Sequence, residues 1–234
     1  MTIGWLAIAP VLASVSVQDA PAAVAAPATS PAMAEAIANQ AKVKTKPRFK
    51  SGPSAELPES AKAAGVHGKV EVAFIINVEG KPVEISVVKS SRSPELDGIA
   101  VAAVQASLYE PAKDKDGNPI ALRVVAPTTF SAVHVPGKTG GILRYDCAQF
   151  LRDEQWWAAN WPGEKSYVYN MSLGAVMIGT RGSMSDGKTL VTTVRDFRES
   201  WDKANDTCAK APETMFVDAL KPGGAILRRL ASAR

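Results

Sequence analysis

A chain of 234 residues has room for one large or two small domains with cores of their own. Its 46% hydrophobic and 21% charged residues exclude both a wholly disordered chain and a many-spanned membrane protein. Two histidines, His67 and His134, and two cysteines, Cys147 and Cys208, cannot assemble a zinc or iron–sulfur site, so no metal and no cofactor are expected. The net charge is only +4, and much of it comes from one stretch: Lys42, Lys44, Lys46, Arg48 and Lys50 fall within residues 41–50, which hold no acid. The remainder is nearly neutral, so no groove-sized basic surface and no nucleic-acid partner are expected. The basic run reads as a solvated linker, with attraction to an anionic cell-wall or lipid surface as the alternative.

Residues 3–17 are apolar or small, and the most hydrophobic part, residues 5–13, has the length of a signal-peptide core. It is shorter than the ~20 apolar residues that a spanning helix needs, and Pro10 interrupts it. Ser14, Val15 and Ser16 form a small-x-small pattern for cleavage after Ser16, although residues 1–4 lack the usual Lys or Arg. Residues 1–16 are therefore expected to be a signal peptide or a short apolar anchor. Residues 17–54, rich in Ala, Pro and Lys with Phe49 as their one aromatic residue, read as a disordered linker. Within it, the stretch around Glu35 and Ile37 is expected to be helical only transiently.

The first folded module begins near Leu57. Pro58 suits a first helical turn, residues 59–64 are good helix formers, and Gly65 ends them. Val70, Val72, Phe74, Ile76 and Val78 then alternate with mostly polar residues, the period of a strand with one buried face. After a turn at Gly80, Val83, Ile85 and Val87 continue the pattern as the second arm of a hairpin. Ser93 and Pro94 open a helix whose Leu96, Ile99, Ala100, Ala103, Val104 and Leu108 recur at helical spacing. The Asp116-Gly117-Asn118-Pro119 turn leads into a last strand in which Ile120, Leu122 and Val124 alternate with Ala121, Arg123 and Val125.

The set Leu57-Pro58, Ala61, Gly65, Gly68-Lys69-Val70, Val72, Phe74, Val78, Gly80, Val87, Ser90-Ser91, Leu96-Asp97, Ala100, Pro111-Ala112, Gly117, Pro119, Pro127 and Phe130 resembles the TonB C-terminal domain. The resemblance covers about a third of the chain and places that domain at residues 55–134. It implies a periplasmic module of a three-stranded antiparallel sheet with two helices. The implied partner is a peptide segment of an outer-membrane TonB-dependent receptor, added as a further strand to the edge of the last strand. The corresponding positions are Ile120, Ala121, Leu122, Arg123, Val124, Val125 and Ala126. Inner-membrane motor proteins join the expected partners if the N-terminus is an anchor. The chain nevertheless lacks the full inner-membrane helix and the long Glu-Pro and Lys-Pro spacer of energy transducers, so energy coupling does not follow.

Beyond the turn-rich residues 135–141 the pattern becomes helical, and a second domain is expected over residues 141–234. Asp146 can cap a helix carrying Phe150, Leu151 and Trp157. A second helix holds Val168, Met171, Ala175 and Ile178, and a third Leu190, Val194, Phe197 and Trp201. Cys208 is expected after the third helix, and a short helix bears Met215, Phe216, Ala219 and Leu220. In a secreted chain, Cys147 and Cys208 suggest a structural disulfide, two free thiols being the alternative. Cys147-Ala148-Gln149-Phe150-Leu151, Cys208 with Pro212, and the segment from Phe216 to Leu220 resemble the HdeA family of small periplasmic helical proteins, with a longer cysteine spacing. That resemblance implies a stapled module that binds polypeptides through apolar surface. Trp156, Trp157 and Trp161 are candidates for it, against ordinary packing.

No nucleophile elbow, phosphate-binding loop or Ser, His and Asp set is present, so no enzyme is expected. His67 and His134 read as surface residues, and the adjacent Asp153 and Glu154 point to different parts of a helix surface. The fold class is therefore α+β: a small TonB C-terminal-like domain followed by a disulfide-linked all-α domain. The expected function is periplasmic receptor-peptide recognition in outer-membrane transport, with a chaperone-like or stress adaptor as the alternative.

Overall fold

A computed structural model describes residues 30–133, 141–179 and 187–232. The expected signal peptide or anchor, His134 and residues 135–140 of the turn-rich stretch lie outside them. Three strands form an antiparallel sheet in the order β3-β2-β7: β2 (Gly68–Ile76), β3 (Pro82–Lys89) and β7 (Leu122–Phe130). The turn between β2 and β3 depends on Gly80, whose φ is +78°. A Cβ there would stand 1.9 Å from the Tyr109 carbonyl oxygen, so no side chain fits.

One face of the sheet carries Val70, Val72, Phe74 and Ile76 of β2 with Phe130 of β7, all buried. Helix α3 (Pro94–Gln105) covers it with Leu96, Ala100 and Val104. The Ser93 side chain caps this helix by accepting from the Leu96 amide. Asp97 in its first turn accepts from the Ser91 amide and hydroxyl and from the Ser90 hydroxyl, which ties the end of β3 to the helix. Leu108 leaves the expected helix for a short strand, β4 (Leu108–Glu110).

The opposite face, where strand alternation puts the buried Ala73 and Ile75, corrects the expectation for residues 17–54. From Ser30 onward the expected linker is folded. Helix α1 (Pro31–Ala38) packs across β2 and β7, with Ala36 fully buried. A 3-10 turn (Asn39–Lys42) follows, and β1 (Arg48–Ser51) pairs with β4. An alanine-rich helix has little amphipathic signal of its own, but its small side chains let it lie close to a sheet whose apolar face is already formed.

Short β5 (Ala112–Lys113) and β6 (Pro119–Ile120) pair across the turn before β7. Helix α2 (Glu59–Ala63) ends at Gly65, in the left-handed region at φ +72°. The second core belongs to the all-α part: α4 (Cys147–Asn160), α5 (Tyr167–Gly179), α6 (Gly187–Lys210), α7 (Phe216–Ala219) and α8 (Gly223–Ser232). Phe150, Phe197, Trp201 and Phe216 interlock there at centroid separations of 4.5–5.8 Å, the range of favourable aromatic pairs. A Cys147–Cys208 disulfide joins α4 to α6, so Cys208 sits inside the third helix rather than after it. Helix α8 was not expected. It opens on Gly223-Gly224 just after Pro222, a sequence that reads as loop until Leu227 is buried against the core.

Candidate functional site

Strand β7 lies at the edge of the sheet and pairs with β2 along its whole length, from Leu122 opposite Ile76 to Phe130 opposite Gly68. Two observations show which backbone groups face outward. The Ala121 carbonyl accepts from Asn39 Nδ2 at 3.1 Å and the Arg123 carbonyl from Gln40 Nε2 at 3.4 Å, both from the strap that crosses the edge. Pro127, which has no N–H to give to a ladder, has the same parity. Strand alternation then directs Leu122, Val124 and Ala126 toward β2, and leaves the amides of Arg123, Val125 and Thr129 on the free edge.

Of the seven expected binding positions, Leu122, Arg123, Val124, Val125 and Ala126 lie in β7. Ile120 lies in β6, paired with Ala112, and Ala121 stands between the two strands. The expected bare edge is thus open in its second half and strapped in its first. Between strap and edge lies a groove of about 340 Å³, with Gln40, Val43, Lys46 and Pro47 on one wall and Leu122, Arg123 and Val124 on the other. Sequence reasoning missed the strap residues, since nothing local shows that residues 39–47 return to the sheet.

A second cluster lies where the sheet module meets the helices. Trp157 stacks on Trp161 at 5.4 Å on one side and on His67 at 5.2 Å on the other. Trp156 leans on the same imidazole, and the Arg92 guanidinium lies 3.8 Å from the Trp161 ring. Arg92 adopts a left-handed φ of +66°, and it also donates to the Asn160 carbonyl. The result is a ladder of mixed origin: Arg92 and His67 from the sheet module, the tryptophans from α4 and the turn after it. These tryptophans are half-buried between the modules, and Trp157 and Trp161 also line an opening of about 400 Å³. His67, expected on the surface, is 1% exposed, because α4 closes over the turn that carries it. Its Nδ1 donates to the Gly65 carbonyl at 2.8 Å.

Asp153 is also buried, contrary to the expected surface position. It accepts from the Tyr145 hydroxyl and from Gln149 Nε2, each at 2.6 Å, and Gln149 Nε2 reaches the Lys62 carbonyl of the sheet module at the same distance. Burial raises the Asp153 pKa against the lowering effect of those hydrogen bonds. Burial also pushes Glu154 up to about 7, with Ser166 opposing it and the Asp153 charge adding to it. The same opening of about 400 Å³ lies beside Glu154, lined also by Trp157, Trp161 and Ser166, while Gln149 links Asp153 to the sheet module at the joint.

The raised values fix the sign of a pH effect. An unfolded Glu154 releases its proton near 4.5 and the folded one near 7, so folding is favoured at the acid end and loses stability as pH rises between those values. Asp153 shifts in the same direction. Glu154→Gln should remove the larger part of this slope. After allowance for its partial exposure, we expect it to stabilise the chain at pH 7.5 by roughly 1–2 kcal/mol with little change at pH 4.5. Thermal unfolding across pH 4–8 measures this, and a variant profile parallel to the wild type refutes it.

Comparison with known proteins follows this geometry. Residues 53–132 match the family described as the Gram-negative bacterial TonB protein C-terminal. Among solved structures, the chain is similar to the solution NMR structure of the Pseudomonas aeruginosa TonB C-terminal domain, at 22% identity over 40% of this chain and 90% of that one, with a TM-score of 0.33. None of the curated proteins compared with the chain matches it.

Proposed function

We propose that this protein, whose residues 53–132 match the TonB C-terminal family, recognises a peptide segment of an outer-membrane receptor by adding it as a fourth strand along β7. The observation that carries the reading is the edge position of β7, whose alternation turns the amides of Arg123, Val125 and Thr129 outward, where no strand pairs with them among the described residues. An extended peptide would satisfy them while its alternate side chains meet the sheet surface. The role is binding rather than catalysis, in the periplasm. In this reading Arg123 and Val125 supply edge donors, whereas Leu122, Val124 and Ala126 hold the strand to β2.

The strap shares this edge. A peptide covering the start of β7 must displace the Asn39 and Gln40 side chains from the carbonyls of Ala121 and Arg123. Asn39→Ala with Gln40→Ala should therefore leave peptide affinity unchanged or raise it a few-fold, never abolish it. The test is amide hydrogen exchange on the full chain, with and without synthetic peptides from the periplasmic N-terminal segments of outer-membrane receptors. Protection of Val125 and Thr129 amides on peptide addition supports the reading. Protection confined to β3, the other edge, or binding with no change at β7, overturns it.

The alternative, a chaperone-like or stress adaptor, would need its helical module to open at low pH if it acted in acid. The direction of the Asp153 and Glu154 shifts weighs against that, since both favour the closed state in acid. Motor-protein partners depend on residues 1–16 serving as an anchor. Co-purification of the full chain with inner membranes, resistant to salt and carbonate, would support that dependence, and recovery in the soluble periplasm would remove it.

A further inference from the structure

The opening in the helical module, about 400 Å³, falls in the range of about 300–1,000 Å³ that small-molecule sites occupy. Glu154, Trp157 and Trp161 line it from α4 and its C-cap, Lys165 and Ser166 from the loop that follows, and Tyr169 from α5. Two of these residues hold a polar atom with no hydrogen-bond partner among the described residues: Glu154 Oε1, an acceptor, and Trp161 Nε1, a donor. Both atoms are shielded from solvent, and folded proteins leave few shielded polar atoms unpaired because the loss is costly. Glu154 also forms no ion pair among the described residues, and burial is the first cause of its raised pKa. The wall of the opening therefore contains a carboxyl group without a counter-ion, the condition that an incoming positive charge relieves.

A third group adds the opposite charge. The Lys165 ammonium lies 4.8 Å from the centroid of the Tyr169 ring and has no acid within ion-pair distance among the described residues. The three groups together narrow the ligand. A sugar ring would need an open aromatic face, yet Trp157 is stacked by His67 on one side and Trp161 on the other, and Trp161 carries Arg92 as well. A simple amine would pair with Glu154, leave the indole N–H unsatisfied and be repelled by Lys165, and a simple carboxylate would suit those two and be repelled by Glu154. A small molecule with an ammonium and a carboxylate on one carbon answers all three. We propose that this opening binds a free α-amino acid, its ammonium held by the Glu154 carboxylate and its carboxylate by the Trp161 indole N–H and the Lys165 ammonium. The site lies in the helical module, and the inference does not depend on strand addition at β7.

The experiment is titration of the full-length chain with each of the common L-amino acids, with D-alanine, and with two half-ligands, isobutylamine and isovalerate, each up to about 10 mM. Calorimetry reads the binding, and tryptophan emission reads its place, since Trp157 and Trp161 line the opening. The expected result is saturable binding of at least one amino acid, with both half-ligands weaker by about tenfold or more. Glu154→Gln keeps the shape of the side chain and is expected to fold at least as well as the wild type, so its loss of about tenfold or more in affinity would not come from unfolding. Lys165→Gln should lose about two- to fivefold, because this side chain is exposed. Isobutylamine binding as tightly as the amino acid would make this a cation site, and isovalerate doing so an anion site, and either overturns the inference. Amino-acid binding that Glu154→Gln and Lys165→Gln both leave unchanged puts the ligand elsewhere and overturns it too. So does the absence of a response to every probe. None of these outcomes bears on β7, where amide exchange alone decides.

Discussion

Val124→Pro is expected to disrupt the sheet domain, whereas Val125→Pro, one residue further along the same strand, should fold and lose peptide binding. The two residues differ in where the main chain points. The Val124 amide faces β2 inside the ladder, opposite Phe74, so proline there removes an internal hydrogen bond and forces its ring toward β2. A cost on the order of 2–4 kcal/mol follows, a large part of the stability of a domain of this size. The Val125 amide faces the open edge, and its side chain is 43% exposed. Proline two residues on, at Pro127, is already accommodated there. Val125→Pro should thus keep its unfolding midpoint within a few degrees of the wild type while weakening peptide binding tenfold or more, through one donor lost and a ring placed against the incoming strand. Circular dichroism of both variants and peptide titration of the second are the measurements. A folded Val124→Pro, or a Val125→Pro that binds normally, would invert the assignment of the edge.

Removing the Cys147–Cys208 bridge is the other change expected to have a large effect. Its cysteines lie 61 residues apart in sequence, and both are fully buried beside Phe150 and Phe216. Closing a loop of that length stabilises a fold by about 4 kcal/mol in the chain-entropy account, and losing such a bridge typically costs 2–5 kcal/mol. Cys147→Ala with Cys208→Ala should therefore lower stability by that amount without placing a hydroxyl in the core. The corresponding serine pair should be less stable still. The loss should appear in the near-ultraviolet signal of Trp201 and its neighbours, because the bridge joins α4 to the helix that carries this ring. The sheet module has its own core and should keep binding at β7. A bridgeless chain with unchanged stability would mean that the helical core holds itself together by packing alone.

Much of the sheet module is legible in the residues. Period-two alternation from Val70 to Ile76 gives β2 and its buried face, Gly80 the turn, and Ser93-Pro94 the start of α3, because each of these signals is local and the physics that reads it acts over a few residues. The pairing of Cys147 with Cys208 is legible for another reason, since a chain with two cysteines has one intramolecular pairing open to it. The Ser90-Ser91 and Asp97 signature proves to be a hydrogen-bonded clasp between β3 and α3. Its residues were visible in sequence, and its role was not.

What the sequence by itself determined is the α+β module, its resemblance to the TonB C-terminal family, the helical character of the second half and the strand that offers an edge. Only the tertiary structure decided what stands against these elements. Residues 30–51 look like a tether because no segment of them can bury enough surface alone. They fold because the back of a finished sheet, with Ala73 and Ile75 buried on it, is there for α1 to cover. His67 looks like a surface turn residue, and it becomes the centre of an aromatic ladder because a helix nearly 90 positions later in the chain closes over it. The strapped half of β7, the cations of its groove and the buried acids at the joint share this origin. Each depends on surfaces contributed by residues far apart in sequence, and a local pattern of hydrophobicity or charge contains no information about which distant surface it will face.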